Sequence, residues 1–244
     1  MGKAIVVTSG KGGTGKTSLT AGIAAALSRM GKSVLCVDMD IGLRNLDISL
    51  GLNDRALMDF SDVAQGRCPL SRAAVQHPDL PGLFLLTAPM NLPPDLKKED
   101  VRALMNTART YYDYILVDSP AGLGAGFQLA TCGADRGIVV ATNDATSLRD
   151  AQRTVSELDH LPQIHLVMNR IQPKLLRRLR TTIDDAMDAA GLPLIGVVPE
   201  DPQVMLSANL GQPLVLSSRQ GAAAACNNIA RRLEGQRVPI MRIR

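Results

Sequence analysis

A glycine-rich stretch near the start of the chain, Thr8 to Thr17 (TSGKGGTGKT), constrains the fold more than any other feature. It fits the pattern G-x-x-x-x-G-K-[ST], with Gly10 and Gly15 as the spaced glycines and Lys16 as the lysine. The apolar run at residues 3–8 precedes it and an alanine-rich segment follows, which is the strand–loop–helix setting that this pattern requires. Glycine permits backbone conformations and close approaches that a Cβ obstructs. The sequence therefore predicts a loop that wraps a polyphosphate.

The side chains of this loop have distinct expected roles. Lys16 is expected to reach the terminal phosphates, and the hydroxyl of Thr17 to bind Mg²⁺. The N-terminus of the following helix adds partial positive charge. ATP and Mg²⁺ are therefore the predicted cofactors. The residues predicted to contact the nucleotide in this loop are Gly10, Lys11, Gly12, Gly13, Thr14, Gly15, Lys16 and Thr17.

Acidic residues follow two predicted strands at their carboxyl ends. Asp38 and Asp40 follow the apolar run 33–37, and Asp118 follows the run 114–117. Ligands of open parallel sheets bind at this edge, so we expect these carboxylates near the phosphates. Asp118, through water, and Asp38 are predicted to hold the metal, and Asp40 to orient the attacking water. Without the loop, a solvated strand end and a turn would be the preferred interpretations of Asp38 and Asp40.

Two later strand ends supply the predicted adenine contacts. Asn169 follows the apolar run 164–168, and Pro199, Glu200 and Asp201 follow the run 194–198. These residue types also form ordinary turns, which is the alternative interpretation.

The order of elements predicts an α/β fold. Seven or so short apolar segments alternate with helices, which is typical of a doubly wound, mainly parallel sheet with helices on both faces. Residues 41–53 are predicted to form a loop, and residues 173–190 a single helix. No linker divides the chain, so we expect one domain over residues 1–235 and a short tail over residues 236–244.

Composition limits the environment of the protein. The four cysteines form no C-x-x-C pair, which favours a reduced cytoplasmic protein without disulfides. The chain shows no signal peptide and no run of eighteen apolar residues, so we predict that it is not secreted and does not span a membrane. A net charge of +4 favours anionic partners without identifying one.

Two basic segments leave alternatives open. The tail, QRVPIMRIR at residues 236–244, mixes apolar and basic residues, which suits an anionic membrane surface, but a frayed terminus explains it equally well. Residues 174–180 (KLLRRLR) have leucines on one helical face and cations largely on the other. A solvated charged face is the favoured interpretation of that segment, and nonspecific DNA binding is the functional rival.

Several motifs resemble one family. KGGTGKT at residues 11–17 is a deviant Walker A signature and resembles the MinD/ParA class of dimerising P-loop ATPases. Within that class, DMDIGLRNLD at 38–47 and DSPAG at 118–122 resemble the switch segments of the MinD family. The likeness runs from about residue 2 to residue 235 and continues through the stretches TSLRD (146–150), NR (169–170), IGVVPED (195–201) and SANLGQP (207–213).

The resemblance implies a function. It implies dimer-dependent hydrolysis of ATP to ADP and phosphate, with Lys11 reaching the nucleotide of the partner subunit. It also implies a role in placing the division site, with a MinC-type inhibitor, a MinE-type activator and the inner face of the cell membrane as partners. A flagellar-number regulator related to FlhG and a ParA-like DNA segregation ATPase are the alternatives. Departures from the family occur at Leu123 to Gly126, where an acidic residue is missing, and at Asn143-Asp144 in place of a proline–acid pair.

Overall fold

A single eight-stranded sheet forms the centre of the computed structural model, which describes residues 1–243. Arg244, the last residue of the predicted tail, lies outside the described residues. The strands are β1 Lys3–Thr8, β2 Val34–Asp38, β3 Val75–Gln76, β4 Leu83–Leu86, β5 Tyr114–Asp118, β6 Arg136–Ala141, β7 Ile164–Ile171 and β8 Leu194–Pro199. Their order across the sheet is β3-β4-β2-β5-β1-β6-β7-β8. Only the β3–β4 pair among them is antiparallel, so the predicted mainly parallel sheet is confirmed.

Helices cover both faces of the sheet, as predicted. The inward side chains of each strand alternate between two cores: Ile5 and Val7 of β1 belong to one, Ala4 and Val6 to the other. The first core is covered mainly by α1 (Lys16–Arg29) and α12 (Gly221–Leu233), and the second by helices that include α5 (Lys98–Tyr111) and α7 (Ala145–Glu157). The helices are α1 Lys16–Arg29, α2 Leu46–Leu50, α3 Phe60–Ala64, α4 Leu70–Ala73, α5 Lys98–Tyr111, α6 Ala125–Thr131, α7 Ala145–Glu157, α8 Pro173–Leu179, α9 Ile183–Ala190, α10 Pro202–Asn209, α11 Leu214–Ser217 and α12 Gly221–Leu233.

Two local predictions are wrong. Residues 41–53 are not all loop, because Leu46 and Leu50 of α2 insert into the core and fold this segment into a helix. Residues 173–190 are not one helix, because Arg180 adopts a left-handed conformation (φ 51°) and ends α8. Thr182 then caps α9, since its hydroxyl accepts from the Asp185 N–H and the Asp185 carboxylate accepts from the Thr182 N–H.

The tail runs without helix or strand over residues 236–243. The guanidinium of Arg232 fixes its start by donating to the carbonyls of Val238 (3.0 Å) and Pro239 (2.6 Å). Farther along, Met241 and Ile243 pack against the two cores. No helix within residues 1–243 is long and apolar enough to cross a membrane.

Candidate nucleotide site

The glycine-rich loop joins β1 to α1 in a conformation that needs its glycines. Gly15 has φ 88°, and a Cβ there would meet Nδ2 of Asn169 at 2.4 Å. A Cβ at Gly10 would meet the Cβ and carbonyl oxygen of Asp150 on α7 at 2.5 Å. The loop is therefore packed closely against both β7 and α7, and these glycines are required by its contacts as well as by its backbone angles.

Two side chains of β7 donate hydrogen bonds to backbone carbonyls of the loop. Nδ2 of Asn169 donates to the carbonyl of Thr14 at 2.7 Å, and Nη1 of Arg170 donates to the carbonyl of Gly13 at 3.2 Å. The hydroxyl of Ser9 donates to the carbonyl of Lys11 at 2.7 Å. Three of the loop carbonyls are thus occupied by protein donors, which fixes the loop in shape before any ligand arrives.

Lys16 begins α1 as a buried cation. Lys16 is only 8% exposed, and its ammonium makes no ion pair with any residue from 1 to 243. Burial lowers the pKa of Lys16, while the charges of Asp118 and Asp40 act in the opposite direction. A buried, unpaired ammonium is costly, and a bound anion relieves that cost. The site therefore favours phosphate.

Two buried carboxylates lie side by side behind the loop. Asp38 and Asp118 are register partners of the parallel pair β2–β5. Burial raises the pKa of Asp38 to about 6, although its carboxylate accepts from the N–H groups of Asp40 (2.9 Å) and Leu46 (3.2 Å). Paired buried carboxylates of this kind are ligands and outer-shell partners for Mg²⁺.

Asp118 has a carboxylate that the protein satisfies only in part. Burial, and after it the nearby charge of Asp38, raise the pKa of Asp118 to about 7, while the hydroxyls of Thr17 and Thr20 lower it. Oδ1 accepts from Thr20 at 3.2 Å, but the buried Oδ2 has no hydrogen-bond partner among the described residues. The hydroxyl of Thr14 in the loop is also buried without a partner. A hydrated Mg²⁺ and a phosphate fit these unsatisfied groups.

Asp40 lies close enough to Lys16 for the two charges to interact. It is half-buried, which raises its pKa, and the positive charge of Lys16 opposes that shift. Its backbone carbonyl accepts from the N–H groups of Leu43 and Arg44, which closes a turn after β2. The carboxylate is left at the edge of the phosphate site, where a water-orienting group would stand.

The Lys11 side chain contacts two residues of its own chain. Its ammonium lies 2.8 Å from Oδ1 of Asp144 and 3.1 Å from the hydroxyl of Thr146, at the start of α7. Sequence reasoning had singled out Lys11 but not this pairing, because the partners are more than 130 residues apart in the chain. Its proposed contact with a partner subunit stays a prediction.

A cleft of about 580 Å³ opens beside the loop, within the range of small-ligand pockets. Asn169, Pro199, Glu200 and Asp201 all line it, so the structure brings the predicted adenine contacts together. The carboxylate of Asp201 is already occupied, since it accepts from the N–H groups of Gln203 and Ala222 at 2.9 Å each. Lining residues that the sequence did not indicate include Ser18, Val204, Met205, Leu214 and Cys226.

Arg170 is the functional candidate that sequence reasoning passed over. It stands at the mouth of the cleft, where its guanidinium pairs with Glu200 at 2.8 Å while also holding the loop carbonyl of Gly13. Arg170 has a left-handed backbone (φ 56°), which no sequence pattern signals. The ion pair therefore couples the cleft to the phosphate loop.

A strand, a phosphate loop and a helix, with carboxylates at neighbouring strand ends, define the class of P-loop nucleotide-binding proteins. Residues 5–214 match the family described as CobQ/CobB/MinD/ParA nucleotide binding domain. The septum site-determining protein MinD of Synechocystis is 40% identical over 99% of this chain and 92% of its own length.

Solved structures agree with that assignment. The MinC:MinD cell division protein complex of Aquifex aeolicus contains a chain with TM-score 0.89 and 39% identity, with 98% of each chain covered. MinD of Pyrococcus horikoshii complexed with Mg-ADP has TM-score 0.84 and 28% identity over 96% of each chain. This chain therefore belongs to the MinD family of nucleotide-binding proteins.

Proposed function

We propose that this protein is a Mg²⁺-dependent ATPase that acts in placing the division site and works as an ATP-bound dimer. The observation that carries the proposal is the buried, unpaired ammonium of Lys16 beside the unsatisfied carboxylate of Asp118, in a chain that resembles septum site-determining proteins over its whole length. The names of these relatives favour this role over flagellar-number control or DNA segregation.

The residues for binding are assigned as follows. Thr17, Asp118 and Asp38 would hold Mg²⁺, since the hydroxyl of Thr17 and the carboxylate of Asp38 both act on the pKa of Asp118. When bound, the ion neutralises charge on the phosphate oxygens. Lys16 and the loop N–H groups bind the phosphates, and the cleft beside Asn169 takes the base.

Hydrolysis needs an oriented water and stabilisation of the charge that develops on the phosphate. Asp40 holds the water. Lys11 supplies charge from the second subunit, which makes turnover depend on association. Mutual donation of Lys11 gives a two-fold symmetric dimer, the commonest arrangement of homo-oligomers. In the Aquifex aeolicus complex the partner of MinD is MinC, and we assign this chain a partner of the same type.

A peripheral location on the inner face of the cell membrane completes the proposal. The tail from residue 236 carries exposed arginines, Arg237 and Arg242, and the exposed Ile240. Each dimer presents this segment twice, which strengthens a weak individual contact. A MinE-type activator that accelerates turnover belongs to the same proposal.

Two measurements on the same preparation test the function. We expect ATP turnover that requires Mg²⁺ and is abolished by Lys16→Ala, because that change removes the cation facing the phosphates. We expect the protein to sediment with anionic vesicles in ATP but not in ADP. Equal turnover by wild type and Lys16→Ala contradicts the enzymatic assignment, and equal sedimentation in the two nucleotides contradicts the membrane switch.

A further inference from the structure

Helix α8 carries leucines on its surface. It has no buried residue, and Leu175 and Leu179 are 39% and 49% exposed. These two residues are four apart, so they share one side of the helix. Leu176 is the inward side chain and packs against the core with Ile183 and Met187 of α9. The two leucines therefore form an exposed apolar strip along α8.

Unpaired cations surround these leucines. Lys174, Arg177, Arg178 and Arg180 are all exposed, and none makes an ion pair within residues 1–243. The α8 segment contains no acidic residue. The nearest acids along the chain lie on α9, and one of them is occupied by the N–H and hydroxyl of Thr182. Those α9 acids are Asp184, Asp185 and Asp188.

The tail lies next to α8 and α9. Residues 240–243 line a cavity of about 710 Å³ together with Leu176, Ile183 and the exposed Asp184. Ile240 is 40% exposed and Arg242 is exposed, next to α8. The described part of the tail exposes only this one large apolar residue, because Met241 and Ile243 face the cores. Within residues 236–243, Ile240 is therefore the apolar side chain that is free to insert into a bilayer.

We propose that α8, together with Ile240 and Arg242 of the tail, is the surface that contacts an anionic lipid bilayer; below it is called the α8 surface. The inference rests on the membrane location in the proposed function and names a different segment as its main contact. Leu175 and Leu179 enter the headgroup boundary, and the surrounding cations bind anionic headgroups. Nucleic acid would use the cations alone and gives no reason to expose leucines.

Charge removal gives the first test. Arg177→Gln/Arg178→Gln is compared with Arg72→Gln/Arg219→Gln, which removes the same charge from exposed sites outside the α8 surface. The full-length protein is sedimented in ATP with vesicles of phosphatidylglycerol and phosphatidylcholine. We expect the α8 variant to bind roughly 30-fold more weakly, the control variant to bind as wild type does, and ATP-dependent dimerisation to be unchanged in both.

The contact of Leu175 and Leu179 with the bilayer is tested separately. Leu175→Ala/Leu179→Ala keeps every cation, so we expect residual binding that moderate salt abolishes. The chain has no tryptophan, so Leu179→Trp introduces the sole indole fluorophore. Its emission is expected to shift to the blue on vesicles, while Tyr111→Trp, at a 70% exposed position at the end of α5, shows no shift.

Each contrary outcome has a defined meaning. If wild type sediments in ATP and the α8 variants sediment equally well, the α8 surface is wrong while the proposed function stands, and removal of residues 236–244 then identifies the tail as the contact. If wild type binds no vesicle in ATP, the membrane location fails and this inference fails with it. If the cations are needed for salt-sensitive binding of duplex DNA and not of vesicles, the surface serves nucleic acid and the inference is overturned.

Discussion

The ammonium of Lys11 and the carboxylate of Asp144 form an ion pair of 2.8 Å within one chain. Burial acts to raise the pKa of Asp144, but hydrogen bonds from Lys11 and from three further donors lower it well below its usual range. The other donors are Thr142, Thr146 and the N–H of Ser147, so the carboxylate stays satisfied when the lysine leaves. In the proposed dimer, Lys11 would leave this pair to reach a phosphate of the partner's nucleotide.

Weakening this pair is expected to favour association. Asp144→Asn removes the charge, and asparagine keeps the cap of α7. Because both side chains are partly exposed (35% and 48%), screening limits the pair to about 0–1 kcal/mol. Mutual donation gives up two such pairs in each dimer, so we expect ATP-dependent dimers to form at up to about 30-fold lower protein concentration, measured by light scattering across a dilution series. A weaker dimer would instead place Asp144 in the interface itself.

Removing Asp40 is expected to separate binding from hydrolysis. Asp40→Ala deletes the proposed water-orienting carboxylate and leaves Lys16 and the loop intact. We expect an ATP-bound dimer that accumulates because turnover falls by about 100-fold or more. Dimer lifetime and phosphate release are measured together. A variant that stays monomeric in ATP contradicts the role assigned to Asp40.

Loosening the loop is expected to weaken nucleotide binding moderately. Asn169→Ala deletes the donor to the Thr14 carbonyl, a bond of 2.7 Å that holds the loop from β7. A net hydrogen bond of this type contributes about 1 kcal/mol, which corresponds to about a fivefold rise in the Kd for ATP. Titration with a fluorescent nucleotide measures this Kd. Asn106→Ala, on the outer face of α5, serves as the control and leaves the Kd unchanged.

Stability of the nucleotide-free protein is expected to fall as the pH rises. Burial raises the pKa of Asp118 to about 7, so the folded state retains a proton that the unfolded chain, with an ordinary aspartate pKa of about 3.9, has released. This contribution to the free energy of unfolding is complete below the ordinary pKa and is lost as the pH rises through about 7. Asp38, whose pKa is raised to about 6, acts in the same direction.

Urea unfolding in the presence of a chelator measures this effect. Between about pH 5 and about pH 8, Asp118→Asn is expected to lose less stability than wild type, because one of the two titrating groups is gone. Asp95→Asn, at an exposed position, is the control and follows wild type. Identical pH profiles for wild type and Asp118→Asn would mean that Asp118 is charged in the free protein.

The sequence predicted those parts of the structure in which a functional motif also has a characteristic local pattern. The loop from Thr8 to Thr17 and the acid at the end of β5 follow from spacing and strand order, so their place at the carboxyl ends of β1 and β5 was predictable from the sequence. The break at Arg180 was not predictable, because Leu175, Leu176 and Leu179 continue the helical period up to it. Periodicity does not reveal a left-handed arginine.

Contacts between residues far apart in the sequence were the other part of the structure that could not be predicted. Asp201 was predicted to face the base, yet its carboxylate ties the start of α10 to the start of α12 through the N–H of Ala222. Gly221 allows this approach, since a Cβ there would lie 2.1 Å from Oδ2 of Asp201. Such contacts depend on how α12 returns to the sheet, which no local pattern specifies.

Association through Lys11 is the central claim, and the molar mass of the protein in ATP tests it most directly. Light scattering is recorded for wild type and Lys11→Ala in Mg²⁺-ATP and in Mg²⁺-ADP. The predicted result is a dimer for wild type in ATP alone and a monomer for Lys11→Ala in both nucleotides. A wild-type monomer in ATP, or a Lys11→Ala dimer as stable as that of wild type, would contradict the account.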